Sequence, residues 1–144
     1  MLPYLFLING GDWEMIKLKD MKELSEKILY KRVTEWNKEF IELEDGTKIT
    51  LECTDNDCCA GAYGSFKPSS KTPPLDAVIT DIVISDEIEV PDDDTRVNRV
   101  EIRVFHNQNV ICEGEMIADA GNGGYYYSVG SLIVDEIELP IVSA

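Results

Sequence analysis

The sequence predicts an α+β fold, in which one N-terminal amphipathic helix packs on a largely antiparallel, twisted sheet. Three observations support this prediction. Only residues 18–30 place apolar side chains at helical spacing. Most of the remaining chain alternates apolar and polar residues, which is typical of strands that bury one face. Short clusters of Gly, Pro, Asn and Asp separate these segments, as turns do.

The helix prediction depends on Leu18, Met21, Leu24 and Ile28, which are three, three and four residues apart. This spacing places all four side chains on one face of a helix. A helix with a single apolar stripe must bury that stripe against another element, and the rest of the chain is typical of strands. We therefore expect the helix to cover one face of the sheet.

Residues 1–14 are open to two interpretations. The apolar run from Leu2 to Ile8 is too short to span a bilayer, which needs about 20 residues. It also lacks the basic region and the cleavage site of a signal peptide. It is either a short first strand or a translated leader, because Met15 begins a more ordinary start. We predict a single α+β domain over residues 15–144.

Residues 40–53 predict a β-hairpin. Apolar and polar residues alternate on both sides of Asp45-Gly46. This dipeptide predicts a two-residue type I′ turn, because both central positions of that turn require positive φ angles. The alternation of the second strand places Cys53 towards the core.

Apart from a strand predicted at residues 30–36, the remaining segments divide into one long loop and five strands. Residues 54–76 are rich in Gly, Pro and Ser, which predicts a long surface loop. The rest predicts strands at 78–84, 97–105, 110–118, 125–129 and 132–139. On the 125–129 strand one tyrosine face either packs beneath the 54–76 loop, which we expect, or is exposed and can anchor a protein partner.

The net charge of −15 excludes nucleic acid and anionic membrane as direct partners, because both would be repelled. From Asp76 to Leu139 there are fifteen acidic residues and three arginines. This half predicts a surface for a basic protein partner, and its alternative is an ordinary solvated face. The candidate partner residues are Glu87, Glu89, Asp92, Asp93, Asp94, Glu113, Glu115 and Tyr126.

Several of these carboxylates form i, i+2 pairs, such as Glu87/Glu89 and Glu113/Glu115. On a strand such pairs project from one face about 6–7 Å apart, which resembles the spacing of phosphates along a nucleic-acid strand. A surface of this kind can imitate DNA and occupy a DNA-binding host protein. Ordinary polar-out alternation produces the same pairs on any solvated sheet.

The stretch Asp57-Cys58-Cys59 admits a structural and a metal interpretation. In the first, Asp57 accepts backbone hydrogen bonds at a turn, one cysteine faces inward, and Gly61 frees the backbone. In the second, Cys58, Cys59 and His106 bind a metal ion. A redox pair is disfavoured because the flanking aspartates raise thiol pKa values. We expect the structural interpretation, in which residues 57–61 form a tight turn. We also expect the thiols to be reduced in a cytoplasm and the protein to bind no cofactor.

No set of catalytic residues is predicted. His106 is the only histidine, and no Gly-x-Ser-x-Gly elbow or similar nucleophile motif occurs. A nucleophile, a base and an orienting group are all needed for the common hydrolytic mechanisms. We therefore expect a non-enzymatic protein.

Three motifs carry a resemblance to a known family: Leu43 to Gly46, Asp57 to Cys59, and Gly124 to Val129. In this order they resemble a family of small, uncharacterised proteins from bacteriophages of Gram-positive and actinobacterial hosts. That family commonly has a histidine shortly before Asp-Cys-Cys, where this chain has Thr54, and the third tyrosine is an addition. The resemblance covers about residues 28–130 and implies an origin and a fold, but no reaction.

These observations predict a non-enzymatic, acidic phage accessory protein that acts by binding another protein in the bacterial host cytoplasm. Two alternatives remain. One is a small metal-binding protein that uses the Cys58/Cys59 region, and the other is a minor virion or capsid-decorating component. The identity of the partner and the oligomeric state are left open by the sequence.

Overall fold

A computed structural model describes residues 14–144, with side chains described from Met21 onward. Within these residues the chain forms one helix and ten strands. The elements are α1 (Glu14–Ile28), β1 (Val33–Trp36), β2 (Phe40–Leu43), β3 (Lys48–Asn56), β4 (Gly61–Pro68), β5 (Asp81–Ile84), β6 (Ile88–Val90), β7 (Val97–His106), β8 (Asn109–Asp119), β9 (Ser128–Val134) and β10 (Ile137–Ser143).

The strands form two antiparallel sheets. Sheet I has the order β1-β2-β3-β9-β10. Sheet II has the order β4-β8-β7-β5, and β6 also pairs with β7. Apolar side chains from both sheets join one hydrophobic cluster, so the inner faces of the sheets pack on each other.

The α+β prediction is therefore wrong, because the chain is mostly β. The predicted core lay between one sheet and one helix, whereas the observed core lies between two sheets. Met21, Leu24 and Ile28 are buried, and α1 contacts β10 in sheet I. The side chain of Leu18 lies outside the described residues, as do residues 1–13 of the segment 1–14 that was interpreted as a leader or a short strand. Glu14, its last residue, begins α1.

The predicted 54–76 loop is also wrong. The predicted loop contains the end of β3 and the whole of β4. The parts of it outside strands are the turn at 57–60 and residues 69–76, which begin the 69–80 connection to β5. The sequence misled because Gly61, Gly64 and Pro68 all fall in β4. This strand is at the edge of sheet II, where proline and glycine are tolerated.

The hairpin is confirmed, but its turn type is different. The loop between the paired residues Leu43 and Thr47 covers residues 44–46, and only Gly46 in it has a positive φ angle, at 88°. The Gly46 N–H donates to the Leu43 carbonyl at 2.9 Å, and the Leu43 N–H donates to the Thr47 carbonyl at 2.8 Å. This pattern is that of a three-residue loop with a glycine bulge rather than a type I′ turn.

Cys53 does not face the core, contrary to the prediction, because its side chain is exposed. The register between β3 and β9 shifts between Cys53 and Asp55. Cys53 comes before this shift and still pairs with Gly130. Exposure increases along the strand from buried Ile49 through half-buried Leu51 to exposed Cys53, so β3 has already passed the edge of the core there.

The C-terminal strands begin and end at different residues from those predicted. The tyrosines precede β9 rather than lying on a strand, and a short 3₁₀ turn at Asn122–Gly124 leads into them. The predicted strand 132–139 is two strands, separated by a tight turn at Asp135 with φ 52°. Within the described residues, no helix is long and apolar enough to cross a membrane.

Candidate functional site

The connection from sheet I to sheet II is a tight turn at residues 57–60, which we call the corner. The Ala60 N–H donates to the Asp57 carbonyl at 3.2 Å and closes the turn. The Asn56 side-chain amide donates to the carbonyls of Asp57 and Ala60 at 3.0 and 2.8 Å. Hydrogen bonds within residues 56–60 therefore hold the corner, and contacts with distant residues add to them.

Asp57 ties the corner to the segment that precedes β9. Its backbone N–H donates to the Tyr127 carbonyl at 2.9 Å, and its carboxylate accepts the Tyr127 N–H at 3.2 Å. The sequence predicted that Asp57 would accept hydrogen bonds within its own turn. Its carboxylate instead accepts one from a residue seventy positions later.

The tyrosines lie against the corner, not beneath a 54–76 loop. The Tyr127 hydroxyl donates to Asp55 at 3.0 Å, and this hydrogen bond raises the pKa of Tyr127. Tyr126 is half-buried, and its hydrogen bond with Cys59 raises the pKa of the Tyr126 phenol. Tyr125 is 87% exposed.

Both cysteines of the corner are exposed, so the expectation that one of them faces inward is wrong. Their sulfur atoms lie 2.8 Å apart. The hydrogen bond with Cys59 and partial desolvation raise the pKa of the Cys58 thiol, and the Asp57 carboxylate acts in the same direction. Cys58 therefore tends to keep its proton near neutral pH.

Gly61 does not have the role that the sequence predicted. A methyl group built on Gly61 would meet no atom within 4 Å. The glycine that the corner needs is Gly121, which has a φ angle of 75°. A methyl group there would lie 2.4 Å from the Cys59 carbonyl oxygen and 3.0 Å from the Tyr126 ring.

The three residues of the metal interpretation do not come together. Gly61 pairs with Asp119 at one end of β8, whereas His106 pairs with Asn109 at the other end. His106 is thus separated from Cys58 and Cys59 by the length of β7, roughly 30 Å. Its Nδ1 lies 2.7 Å from the Val78 carbonyl oxygen. Among the residues whose side chains are described, no three His, Cys, Asp or Glu groups are placed to hold a metal ion.

An acidic turn at residues 92–95 lies beside the corner. Asp92 accepts the backbone N–H groups of Asp94 and Thr95 at 2.9 and 3.2 Å. The Thr95 hydroxyl donates to Asp119 at 2.9 Å, and the Gly123 N–H donates to the Asp94 carbonyl at 2.6 Å. These contacts fix the acidic turn against the end of β8 and the 3₁₀ turn.

An open groove of about 410 Å³ runs between the acidic turn and the start of β4. Tyr63, which is 61% exposed, lines it together with Asp92, Asp94 and Asp119. Tyr63 was missed because it fell in the predicted loop. The sequence does contain one indication of it, because an aromatic residue between two glycines is unusual in a surface loop.

The predicted partner residues separate into two places. Asp92, Asp93 and Asp94 lie in the acidic turn, and Glu87 accepts the Ser143 N–H at 2.9 Å. Tyr126 lies at the corner instead, where its ring contacts Gly121. Glu89 lies on β6, paired with Asn98.

Glu113 and Glu115 lie elsewhere, on the outer face of sheet II. Glu115 is 3.7 Å from the Arg99 guanidinium, and Glu113 is paired in register with Arg103 and Lys67. These two glutamates belong to a mixed-charge patch and not to the acidic turn.

Residues 26–133 match a family described as a domain of unknown function, DUF7448. This chain belongs to that family. The matched segment contains the hairpin, the corner, the acidic turn and the tyrosines, and it stops within β9. No curated protein and no solved structure matches the sequence.

Proposed function

We propose that this chain is a non-enzymatic accessory protein that binds a basic segment of another protein. The binding surface would be the end of the molecule that contains the corner and the acidic turn. We call it the acid–tyrosine surface and define it by Asp55, Asp57, Tyr63, Asp92, Asp93, Asp94, Asp119, Tyr125 and Tyr127.

The observation that supports this proposal is the distribution of ion pairs. Among the side chains described from residue 21 onward, no salt bridge involves any aspartate of the acid–tyrosine surface. At the opposite end Asp45, Glu44 and Glu42 each lie within 4 Å of a lysine or arginine nitrogen. The acid–tyrosine surface therefore keeps its negative potential, which attracts and steers cationic partners.

The exposed tyrosines determine which cations fit. Tyr63, Tyr125 and Tyr127 are 61%, 87% and 43% exposed. A tyrosine ring beside carboxylates can contact the stem of a lysine or stack on an arginine, with an electrostatic contribution of about 0.5–1 kcal/mol at an exposed site. The surface thus fits a segment rich in Lys or Arg better than it fits a small ligand.

Imitation of DNA has less support, because basic side chains lie beside the glutamate pairs and partly neutralise them. Glu115 lies beside Arg99, and Glu42 lies 3.8 Å from the Lys48 amine. Polar-out alternation accounts for these pairs without a functional role. The aspartates that form no salt bridge support a basic protein partner instead.

A bacteriophage origin belongs to the same proposal. It rests on the resemblance of the LEDG hairpin, the Asp-Cys-Cys corner and the tyrosine motif to small phage proteins. In that setting the partner would be a host protein in the bacterial cytoplasm.

A synthetic peptide of alternating Lys, Arg and Gly tests the charge of the surface. Its binding to the protein is measured by fluorescence anisotropy at low and at physiological ionic strength. We expect Kd to rise with salt, and D92N/D93N/D94N to weaken binding roughly five- to thirtyfold at low salt. Asparagine keeps the acceptor that Asp92 offers to the turn, so the fold should persist.

The matched control is E42Q/E44Q/E136Q, which removes the same charge from the opposite end. Equal weakening by both triple variants would mean that only the net charge matters, and the proposed surface would be wrong. Binding indifferent to salt, or no binding by the native protein, would also overturn it.

A second pair of variants tests the tyrosines. Tyr63→Asn should weaken peptide binding, whereas Tyr30→Asn should leave it unchanged, because Tyr30 is similarly exposed, at 65%, but distant from the surface. The two substitutions are identical in chemistry. An equal effect on Kd would remove the aromatic part of the proposal.

A further inference from the structure

The two sulfur atoms of the corner are placed together on the surface. Cys58 and Cys59 are both exposed, and their Sγ atoms are 2.8 Å apart. Adjacent residues of an extended chain point to opposite sides, which would separate the two sulfurs. They come together here because Cys58 and Cys59 are the two central residues of the turn closed by Asp57 and Ala60.

The surroundings hold this turn in place. Asp57 is bonded to Tyr127 through its backbone and its carboxylate. Gly121 packs against the Cys59 carbonyl so closely that no side chain fits between them. The fold therefore fixes the backbone turn that places the two thiols side by side.

We propose that Cys58 and Cys59 are a redox modification site that forms a reversible disulfide within the corner. The oxidant is a hydroperoxide. One thiolate attacks the peroxide oxygen and becomes a sulfenic acid, and one water or alcohol leaves. The second thiol then displaces the hydroxyl as water, so two thiols lose two electrons and two protons in total. The site goes beyond the binding of a basic partner and does not depend on it.

Such a bond would be easy to reduce again. The Cα atoms of adjacent residues are about 3.8 Å apart across a trans peptide, below the usual 4.4–6.8 Å of disulfides. The bond would therefore be strained, and strained, exposed disulfides are the labile ones. A cytoplasmic thiol such as glutathione would return the pair to its reduced state.

The other two cysteines do not share this arrangement. Burial raises the pKa of the Cys112 thiol to about 12, which protects it from oxidants in the folded protein. Cys53 is exposed, and its thiol contacts the Asp55 carbonyl at 3.6 Å. Cys53 is therefore a second accessible thiol, without an adjacent cysteine, that has to be removed before the pair can be tested alone.

The rate should rise with pH. The Cys58 thiol holds its proton more firmly than an ordinary cysteine, because of Cys59, desolvation and Asp57. Since the thiolate is the nucleophile, oxidation is slow near neutral pH and accelerates in alkaline solution. This behaviour suits a site that responds to sustained oxidant and not to a brief exposure.

The test uses the full chain with Cys53→Ser, which leaves the pair as the only accessible thiols. The reduced protein is treated with excess hydrogen peroxide, and intact mass and thiol content are measured before and after dithiothreitol. We expect the loss of two hydrogens, the loss of both accessible thiols, and recovery of nearly all thiol on reduction.

The controls are C53S/C58S and C53S/C59S, in which one thiol has no neighbour. These variants should gain oxygen in mass and lose thiol irreversibly, since an isolated sulfenic acid proceeds to sulfinic acid. If the pair instead gains oxygen at each cysteine independently, or links two chains, the proposal is overturned. Peptide binding by the reduced protein is a separate measurement, so failure of one proposal leaves the other intact.

Discussion

At the scale of single residues, the corner depends on how closely two turns approach each other. Gly121 has a φ angle of 75°, and its Cα faces the Cys59 carbonyl. An L-residue pays for that backbone conformation, and a methyl group 2.4 Å from a carbonyl oxygen forces the turns apart. Two independent reasons thus require glycine at this position.

Gly121→Ala should lower the free energy of unfolding by about 2–4 kcal/mol, from the strained φ angle and the contact together. Urea denaturation monitored by circular dichroism measures it. Gly61→Ala is the control in the same corner, because its added methyl group meets no atom within 4 Å. We expect a change of less than about 1 kcal/mol there. Equal losses would show that the two glycines were assigned wrongly.

Asp57 offers a second prediction at this scale. Its carboxylate accepts the Tyr127 N–H at 3.2 Å from an accessible position. Asp57→Ala should lower the free energy of unfolding by about 1 kcal/mol, because that N–H loses its partner. Asp57→Asn keeps an acceptor oxygen and should restore most of the loss. Thermal melts distinguish the two, and an alanine variant as stable as the native protein would contradict the role of this bond.

At the scale of the element, the β2–β3 hairpin carries a charge on its loop that makes it sensitive to acid. The hydrogen bond from Lys31 and that from the Thr47 N–H lower the pKa of Asp45 from 3.8 to about 2. The folded state therefore favours the ionised carboxylate. Its contribution to stability is complete above pH 4 and is lost as the pH falls towards 2.

Asp45→Asn should flatten the acid limb of the stability curve. The carboxylate is 42% exposed, so solvent screening limits the contribution to about 0.5–1 kcal/mol. Urea midpoints of the native and variant proteins should differ at pH 6 and converge near pH 2. Lys31→Met should have the same effect from the other partner. A difference that stays constant over this range would exclude the ion pair as its cause.

The sequence predicted elements best where one local rule decided them. The hairpin and the strands now called β7 and β8 follow from alternation and short turns, and their register keeps one face buried. β4 was not predicted, because glycine and proline at a sheet edge give the same local sequence pattern as a loop. The division into two sheets was not predicted, because the pairing of β3 with β9 joins residues about eighty positions apart in the sequence.

The candidate site shows the same limit. The sequence identified the corner and the acidic turn, since both are local clusters of unusual residues. It did not identify Tyr127 as the partner of Asp57 or Gly121 as the support of Cys59, because those contacts join distant parts of the chain. It predicted that one of the two cysteines faces inward, whereas the turn leaves both exposed with their sulfur atoms together.

At the scale of the whole molecule, the charge of −15 is partly compensated at the hairpin end and, through Arg99, on the outer face of sheet II. Lys27, Lys31, Arg32 and Lys48 lie within 4 Å of carboxylates around the helix end and the hairpin. The aspartates of the acid–tyrosine surface repel one another without such partners among the described side chains. Repulsion of this kind destabilises the folded state and is screened by salt.

Salt should therefore stabilise the protein, and neutralisation at the two ends should have opposite effects. At low ionic strength, D92N/D93N/D94N should raise Tm by about 2–4 °C, because it removes repulsion worth about 1 kcal/mol. E42Q/E44Q/E136Q should lower Tm or leave it unchanged, because it removes attractive pairs. Scanning calorimetry from low to physiological salt measures both.

The difference in Tm between the two triple variants separates this explanation from a general effect of net charge. Both triple variants carry the same total charge, so a mean-field repulsion would stabilise them equally. Local repulsion at the acid–tyrosine surface instead predicts that the advantage of D92N/D93N/D94N shrinks as salt is added, since the Debye length falls to about 8 Å at physiological ionic strength. A basic partner would neutralise the same charges. Binding would therefore relieve the repulsion between the aspartates that destabilises the free protein.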